Sequence, residues 1–247
     1  MTSRTESLSP DLAALAAEID ARLRAVANPE RQRIAVTHFP TAMEVVGVSV
    51  PDLRAVVRDL SKRLRHAPAE EVLRLADAVI DAGTFEGRQV AYELIYRHRA
   101  AMAALTAGRV EALGRGIDNW ASVDAFAGTI SGPLWARGRL DDATLLRWAR
   151  SPDRWWRRAA VVSTVVLSRE SKGEAAARTL AVCELVASDR DDMVAKALSW
   201  ALRALSQFDR DAVIDFVERH ESDLPSRVRR EVATKLSTGL KAKRRSA

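Results

Sequence analysis

The sequence predicts an all-α protein, a right-handed α-solenoid of about a dozen helices stacked in pairs, and three observations predict it. Helix-starting signals recur along the 247 residues with short spacers between them. One apolar segment is repeated at an offset of 38 residues. No stretch alternates apolar and polar residues as a half-buried strand does, and Ala, Leu, Arg, Glu and Asp, which favour helices or their ends, dominate.

Taken in order, the helix starts share one grammar. In "SPDLAALAAEIDARL" Ser9 is the expected N-cap, Pro10 takes the first helical position and Asp11 the first turn. "NPERQR", "SVPDLRAVVRDL", "APAEEVLRLADAVI" and "SPDRWWRRAAVV" repeat it. Breaks are expected at Gly47, Gly83, the Gly114–Gly116 pair, Gly132–Pro133 and Gly173. The repeat lays "DRWWRRAAVVSTVVLS" (153–168) over "DDMVAKALSWALRALS" (191–206), with weaker copies at 84–99 and 226–240. A helix-pair period near forty residues is the mark of a HEAT-like solenoid, in which each unit buries its face against its neighbours and the array presents a concave groove. The expected organisation is one repeat domain over residues 1–240 and a basic, flexible tail over 241–247.

Composition bounds the function classes. Apolar residues make up 47% of the chain, ample for a core, and no apolar run reaches the length of a membrane span. "MTSRTESLSP" lacks the apolar stretch of a secretory signal, so the expected compartment is the cytoplasm. The single cysteine, Cys183 in "LAVCELVA", excludes an intramolecular disulfide and reads as a small core residue. His38, His66, His98 and His220 are scattered without metal-ligand spacing, and no phosphate-cradling glycine loop or nucleophile elbow is present. Any chemistry is therefore expected to run without metal or cofactor.

Charge is uneven. Net charge is +6, and the segment from Arg227 onward carries eight basic residues against Glu231 alone. A second cluster, "RWARSPDRWWRR", interleaves Arg147, Arg150, Arg154, Arg157 and Arg158 with Trp148, Trp155 and Trp156. Only six of the 39 cations are lysines, and arginine's planar fork suits phosphates and aromatic faces.

Three segments place candidate functional side chains. On the helix at 191–206, Val194, Ala197, Leu198, Ala201 and Leu205 form the core stripe, while Trp200 projects roughly 140° from its centre between Lys196 and Arg203. A neighbouring helix covering Trp200 is the alternative. On the helix at 153–168, Arg158 lines up with Trp155 and Val162 and matches Lys196 in the repeat, which suits an electropositive groove. The alternative is surface arginines lying on tryptophan rings. In "IDNWASVDAFAGTIS", Val123, Phe126, Ala127 and Ile130 form the core face. Trp120 stands at its border and Asp124 a little further round, with Ala121 and Gly128 leaving a notch beside the carboxylate. A structural Asp124 that caps a helix or pairs with an arginine is the competing reading.

Together "NWASVDAF", "RWWRRAAVV" and "AKALSWALR", about forty residues apart, resemble the AlkD-type DNA glycosylases, HEAT-like proteins that excise N3- and N7-alkylated purines. The resemblance runs from "GVSVPDLR" (47–54) to "LPSRVRREVATKL" (224–236). It implies a catalytic Asp124, active-site tryptophans at Trp120 and Trp200, and an active-site Arg158. The family's first segment usually reads Trp-Trp-Asp-x-Val-Asp, whereas this chain reads Asn119-Trp120-Ala121-Ser122-Val123-Asp124. A tyrosine of the family's N-terminal helices aligns with His38. The implied substrate is double-stranded DNA containing alkylated purines, bound by a cytoplasmic, nucleoid-associated monomer, with Arg154, Trp156, Arg157, Lys196 and Arg203 expected on the DNA. The alternatives are a non-catalytic HEAT-repeat protein for damaged or branched DNA and a protein-interaction scaffold.

Overall fold

The computed structural model describes residues 10–170 and 175–240. Ser9, Gly173 and the basic tail 241–247 lie outside the described residues. The chain divides into two compact units, Met1–Ala125 and Phe126–Ala247. Among the described residues every regular element is helical, apart from one isolated bridge between Glu44 and Thr84, and no helix is long and apolar enough to cross a membrane.

In the first unit, α1 (Pro10–Ala25), α2 (Pro29–His38), α3 (Val50–Arg63), α4 (Ala69–Asp81), α5 (Phe85–Arg97), α6 (Arg99–Ala104) and α7 (Ala107–Gly114) lead to α8 (Trp120–Phe126). The starts follow the sequence grammar: the Asn28 side chain accepts from the amides of Glu30 and Arg31, Ser49 from Asp52, and Thr84 from Gly87. At α4 the cap position is Pro68, with no side-chain cap bond. Helix α5 lies at the centre, packed on α3, α4 and α6, and buries Val90, Ala91, Tyr92, Leu94 and Ile95. Full burial of one Leu or Ile side chain contributes about 1.5–3 kcal/mol. By contrast α2 buries none of its residues and leaves Ile34 and Val36 exposed.

The second unit holds α9 (Gly132–Ala136), α10 (Asp142–Ala149), α11 (Arg154–Glu170), α12 (Ala175–Glu184), α13 (Asp192–Leu205), α14 (Arg210–Arg219) and α15 (Ser226–Thr238). Helices α11, α13 and α15 stack in one layer, α10 and α12 in another, and α11 also packs on α10 and α12. That layered succession of helix pairs is the arrangement of an α-solenoid. The two best-matched copies of the repeat fall on α11 and α13, which pack against each other, and both begin at an aspartate cap. Asp153 accepts from the Trp155 amide, and Asp191 from Met193 and Val194. The weaker copies are α5 and α15. All five expected core residues of α13 are buried, and α11 buries Ala159, Ala160, Val161, Val162, Val165 and Leu167. Cys183 is fully buried, and burial pushes its thiol up to about 12.

The structure corrects one break. At Gly132–Pro133 the chain does not turn; it passes from α8 through a π-helical turn, Ala127–Ser131, into α9. The Gly132 amide reaches back five residues to the Ala127 carbonyl. Pro133 has no N–H to give, and the wider turn accommodates that loss. This extra segmentation, with the α5/α6 division at His98, brings the described α-helices to fifteen against the expected dozen. Close approach also requires a glycine here: a Cβ on Gly132 would lie 2.6 Å from the Ala127 carbonyl oxygen and 2.8 Å from the Val166 side chain. Gly132→Ala is therefore expected to destabilise the second unit by about 1–3 kcal/mol through overpacking, read as a lowered urea midpoint with an unchanged m-value.

Candidate active site

The first group of candidate residues is assembled by α8. Its start is built by Asn119, whose Oδ1 accepts from the Ser122 amide at 2.8 Å while its Nδ2 donates to Ser122 Oγ, Asp118 Oδ1 and Thr41 Oγ1. From that cap the helix places Trp120 and Asp124 one turn apart, both half-buried. Val123, Phe126, Ala127 and Ile130 are completely buried, as the helical register requires. Gly128 is exposed, and a Cβ there would meet nothing within 4 Å.

Trp120 is held from outside its own helix. Its indole N–H donates to the His38 carbonyl, the last of α2, at 3.1 Å. Its ring meets Phe39 edge-on with centroids 6.0 Å apart, and Phe39 lies 4.6 Å from Phe85. The sequence joined His38 to the site only by alignment; it is the backbone oxygen that the structure brings to Trp120. The Phe39 and Phe85 contacts, and the grip on the loops described next, were not legible in the sequence at all.

Three buried or half-buried polar side chains fix the segments that meet at Trp120. Asp118 accepts from Thr41 Oγ1 and from the Ala42 amide, both at 2.5 Å. Burial alone raises the Asp118 carboxyl, but the bonds from Ala42, Thr41 and Asn119 outweigh it and hold the group below its ordinary value. Glu86, 2% exposed, accepts from the amides of Val46, Gly47 and Val48. Arg88, also buried, donates through Nη1 to the carbonyls of Leu113 and Arg115 and to Tyr92 Oη, and Tyr92 in turn donates to Leu113. The chain before Trp120 and the loop after α2 are thus tied to one another and to α5.

The second group belongs to the second unit. Arg158 is 5% exposed, and its Nη1 donates to the Met193 carbonyl at 2.5 Å. Its repeat counterpart Lys196 is exposed and pairs with Asp192 at 2.6 Å. Asp192 is held below its ordinary value, first by the Lys196 hydrogen bond and then by the charges of Lys196, Arg227 and Arg158, against a smaller opposing effect of burial. The two cations matched by the repeat therefore converge, with Arg227, around one carboxylate. Trp200 is half-buried one turn on from Lys196.

The remaining expected DNA contacts have intramolecular partners. Arg157 pairs with Asp189 at 2.7 Å and donates to the carbonyls of Ser151 and Pro152. Arg203 lies 3.7 Å from Glu231 and donates to Ser199 Oγ; burial lowers its pKa. Arg154 stacks over Trp155 at 4.7 Å and reaches Asp191 at 3.4 Å. Trp156 stands in an aromatic cluster with Trp148, at 4.7 Å, and Phe126, at 6.0 Å. Among the described residues no three His, Cys, Asp or Glu side chains converge on a metal-sized site.

Stacked helix pairs define an all-helical α-solenoid, and comparison with known proteins places it. The family model for the DNA alkylation repair enzymes matches residues 19–236, and the chain belongs to that family. A solved structure described as a predicted DNA alkylation repair enzyme from Enterococcus faecalis superposes with a TM-score of 0.71, at 19% identity, covering 86% of this chain and 97% of that one. It shares the fold. No curated protein matches the sequence significantly.

The tether through Asp118 has a pH signature. A carboxyl whose folded pKa is depressed stabilises the fold above its unfolded value and loses that contribution as pH falls through the folded one. The Asp118 tether is thus expected to be intact at neutral pH and released only in acid, below the usual carboxylate range. Asp118→Ala is expected to cost about 1–3 kcal/mol at pH 7 and to speed amide hydrogen exchange at Ala42. Unchanged exchange there would show that the loop is held by other contacts.

Proposed function

We propose that this protein is a monofunctional DNA glycosylase that hydrolyses the N-glycosidic bond of cationic N3- or N7-alkylpurines in duplex DNA. Membership of the DNA alkylation repair family supports the substrate class. The observation that carries the chemistry is the pairing of a half-buried Asp124 carboxylate with a half-buried Trp120 on one turn of α8, the indole locked to the His38 carbonyl.

An alkylated purine cation leaves as a neutral base, so its departure needs no general acid. Charge passes to the sugar, which becomes oxocarbenium-like as the bond lengthens. Asp124 stabilises that charge and orients the water that attacks C1′, accepting one of its protons. The face of Trp120 adds cation–π attraction, about 0.5–2 kcal/mol by analogy with exposed and desolvated pairs. Trp120 is suited to this because its N–H is already satisfied and its orientation is set before substrate arrives. Arg158 donates to the Met193 carbonyl, which helps orient the fork, and we assign it to a backbone phosphate of the substrate. We assign Trp200, Lys196, Arg154 and Trp156 to contacts with DNA as well. Arg157 and Arg203 reach DNA only by exchanging the carboxylates they now hold.

The test is release of free base from methylated duplex DNA with no metal or cofactor added. Wild type is expected to release base, and Asp124→Asn to lose at least a hundredfold in rate while its affinity for duplex DNA stays within about threefold. Equal release by the variant would remove Asp124 from the chemistry. Absence of release by wild type, with salt-sensitive DNA binding retained, would identify a non-catalytic DNA-binding protein on the same frame.

A further inference from the structure

Where α3 runs toward α4 and α5 gives way to α6, two cavities of about 160 and 530 Å³ adjoin. They share Arg65, His98 and Arg99; Arg97 lines the smaller and His66 the larger. No acidic residue is among the described lining of either. Several arginines of the same unit are paired: Arg22 and Arg24 with Asp59 and Glu44, Arg63 with Glu18, Arg109 with Asp77, and Arg97 itself with Glu93. Arg65 and Arg99 are different. Arg65 donates only to its neighbour His66, and Arg99 has no partner among the described residues.

His98 lies beside them on the lining of both cavities. It is 8% exposed, and its Nδ1 accepts from the Ala101 amide at 3.0 Å, capping α6. That bond keeps Nδ1 unprotonated, so the proton of the neutral ring sits on Nε2. The Nε2–H has no partner among the described residues, and His98 lines both cavities. An imidazole donor and two guanidinium forks without carboxylate partners therefore line one space that has no acidic residue in its described lining.

We propose that this cleft binds a phosphate group. Guanidinium forks donate in parallel to two oxygens of a phosphate, and the oriented Nε2–H serves a third. The same chemistry is offered by a phosphodiester of the DNA backbone and by a free phosphate or pyrophosphate. The site lies wholly within the first unit and does not rest on the glycosylase reading, so base release plays no part in its test.

Pyrophosphate titrated into the full chain at low salt is expected to bind saturably and to shift the His98 imidazole resonances. Arg65→Ala with Arg99→Ala, both at exposed positions, is expected to weaken that binding at least tenfold with the melting midpoint unchanged. His98→Asn keeps a cap acceptor for Ala101 but ends short of Nε2, and is expected to weaken it several-fold. A short unmodified duplex distinguishes the sources. If the double variant also binds DNA more weakly, with a salt slope shallower by about one, the phosphate is a backbone phosphodiester. If pyrophosphate binding falls and duplex binding does not, the cleft serves a free phosphate. No saturable pyrophosphate binding by wild type, or a double variant that binds both ligands as wild type does, overturns the proposal.

Discussion

Two buried charges on α5 are the constraint on which the first unit depends. A buried charge is tolerable only when surrounding groups replace the water it has lost. Glu86 takes that replacement from three successive backbone amides and Arg88 from two backbone carbonyls and a tyrosine hydroxyl. Neither set of partners lies on α5's own turns, Tyr92 excepted. The charges therefore organise two stretches of backbone, the loop after α2 and the stretch that leads into Trp120. Removing one charge would leave several orphaned backbone groups, a far larger disturbance than the loss of a surface ion pair. Helix α8, which begins at Trp120, gains a fixed start from this arrangement.

The same logic explains the departures in the segment around the candidate carboxylate. The position before Trp120, where the family usually carries a second tryptophan, holds Asn119 here, and Asn119 caps α8 while knitting Asp118, Thr41 and Ser122 together. A capping amide costs the site one aromatic face and supplies a fixed helix start. Trp120 in turn has Phe39 and Phe85 behind it rather than a neighbour in sequence.

In the second unit the cations differ in how they share their carboxylates. Arg157 and Arg203 are half or more buried and matched by Asp189 and Glu231, so their role in the free protein is to join successive helices. Arg158 and Lys196, one turn into consecutive repeats, share a single acid, Asp192, with Arg227. Arg227 also reaches Glu231, at 3.3 Å, so this cluster joins α13 to α15 through alternating charges.

The sequence by itself determined what is settled within a few turns of helix. Caps at Asn28 and Ser49, the apolar stripes of α11 and α13, the burial of Cys183 and the placement of Trp120 and Asp124 at the rim of an apolar face all follow from 3.6-residue periodicity and local hydrogen bonding. The 38-residue repeat likewise anticipated which helices stack, because equal units bury equal faces. Tertiary structure alone decided the rest. The His38 carbonyl that receives the Trp120 indole is 82 residues away, and Thr41 is 77 from Asp118. The π turn at Gly132 depends on the approach of Val166, and the cationic cleft on two helix junctions meeting at His98. Periodicity says which face of a helix is buried; only packing says what waits on the other side of it.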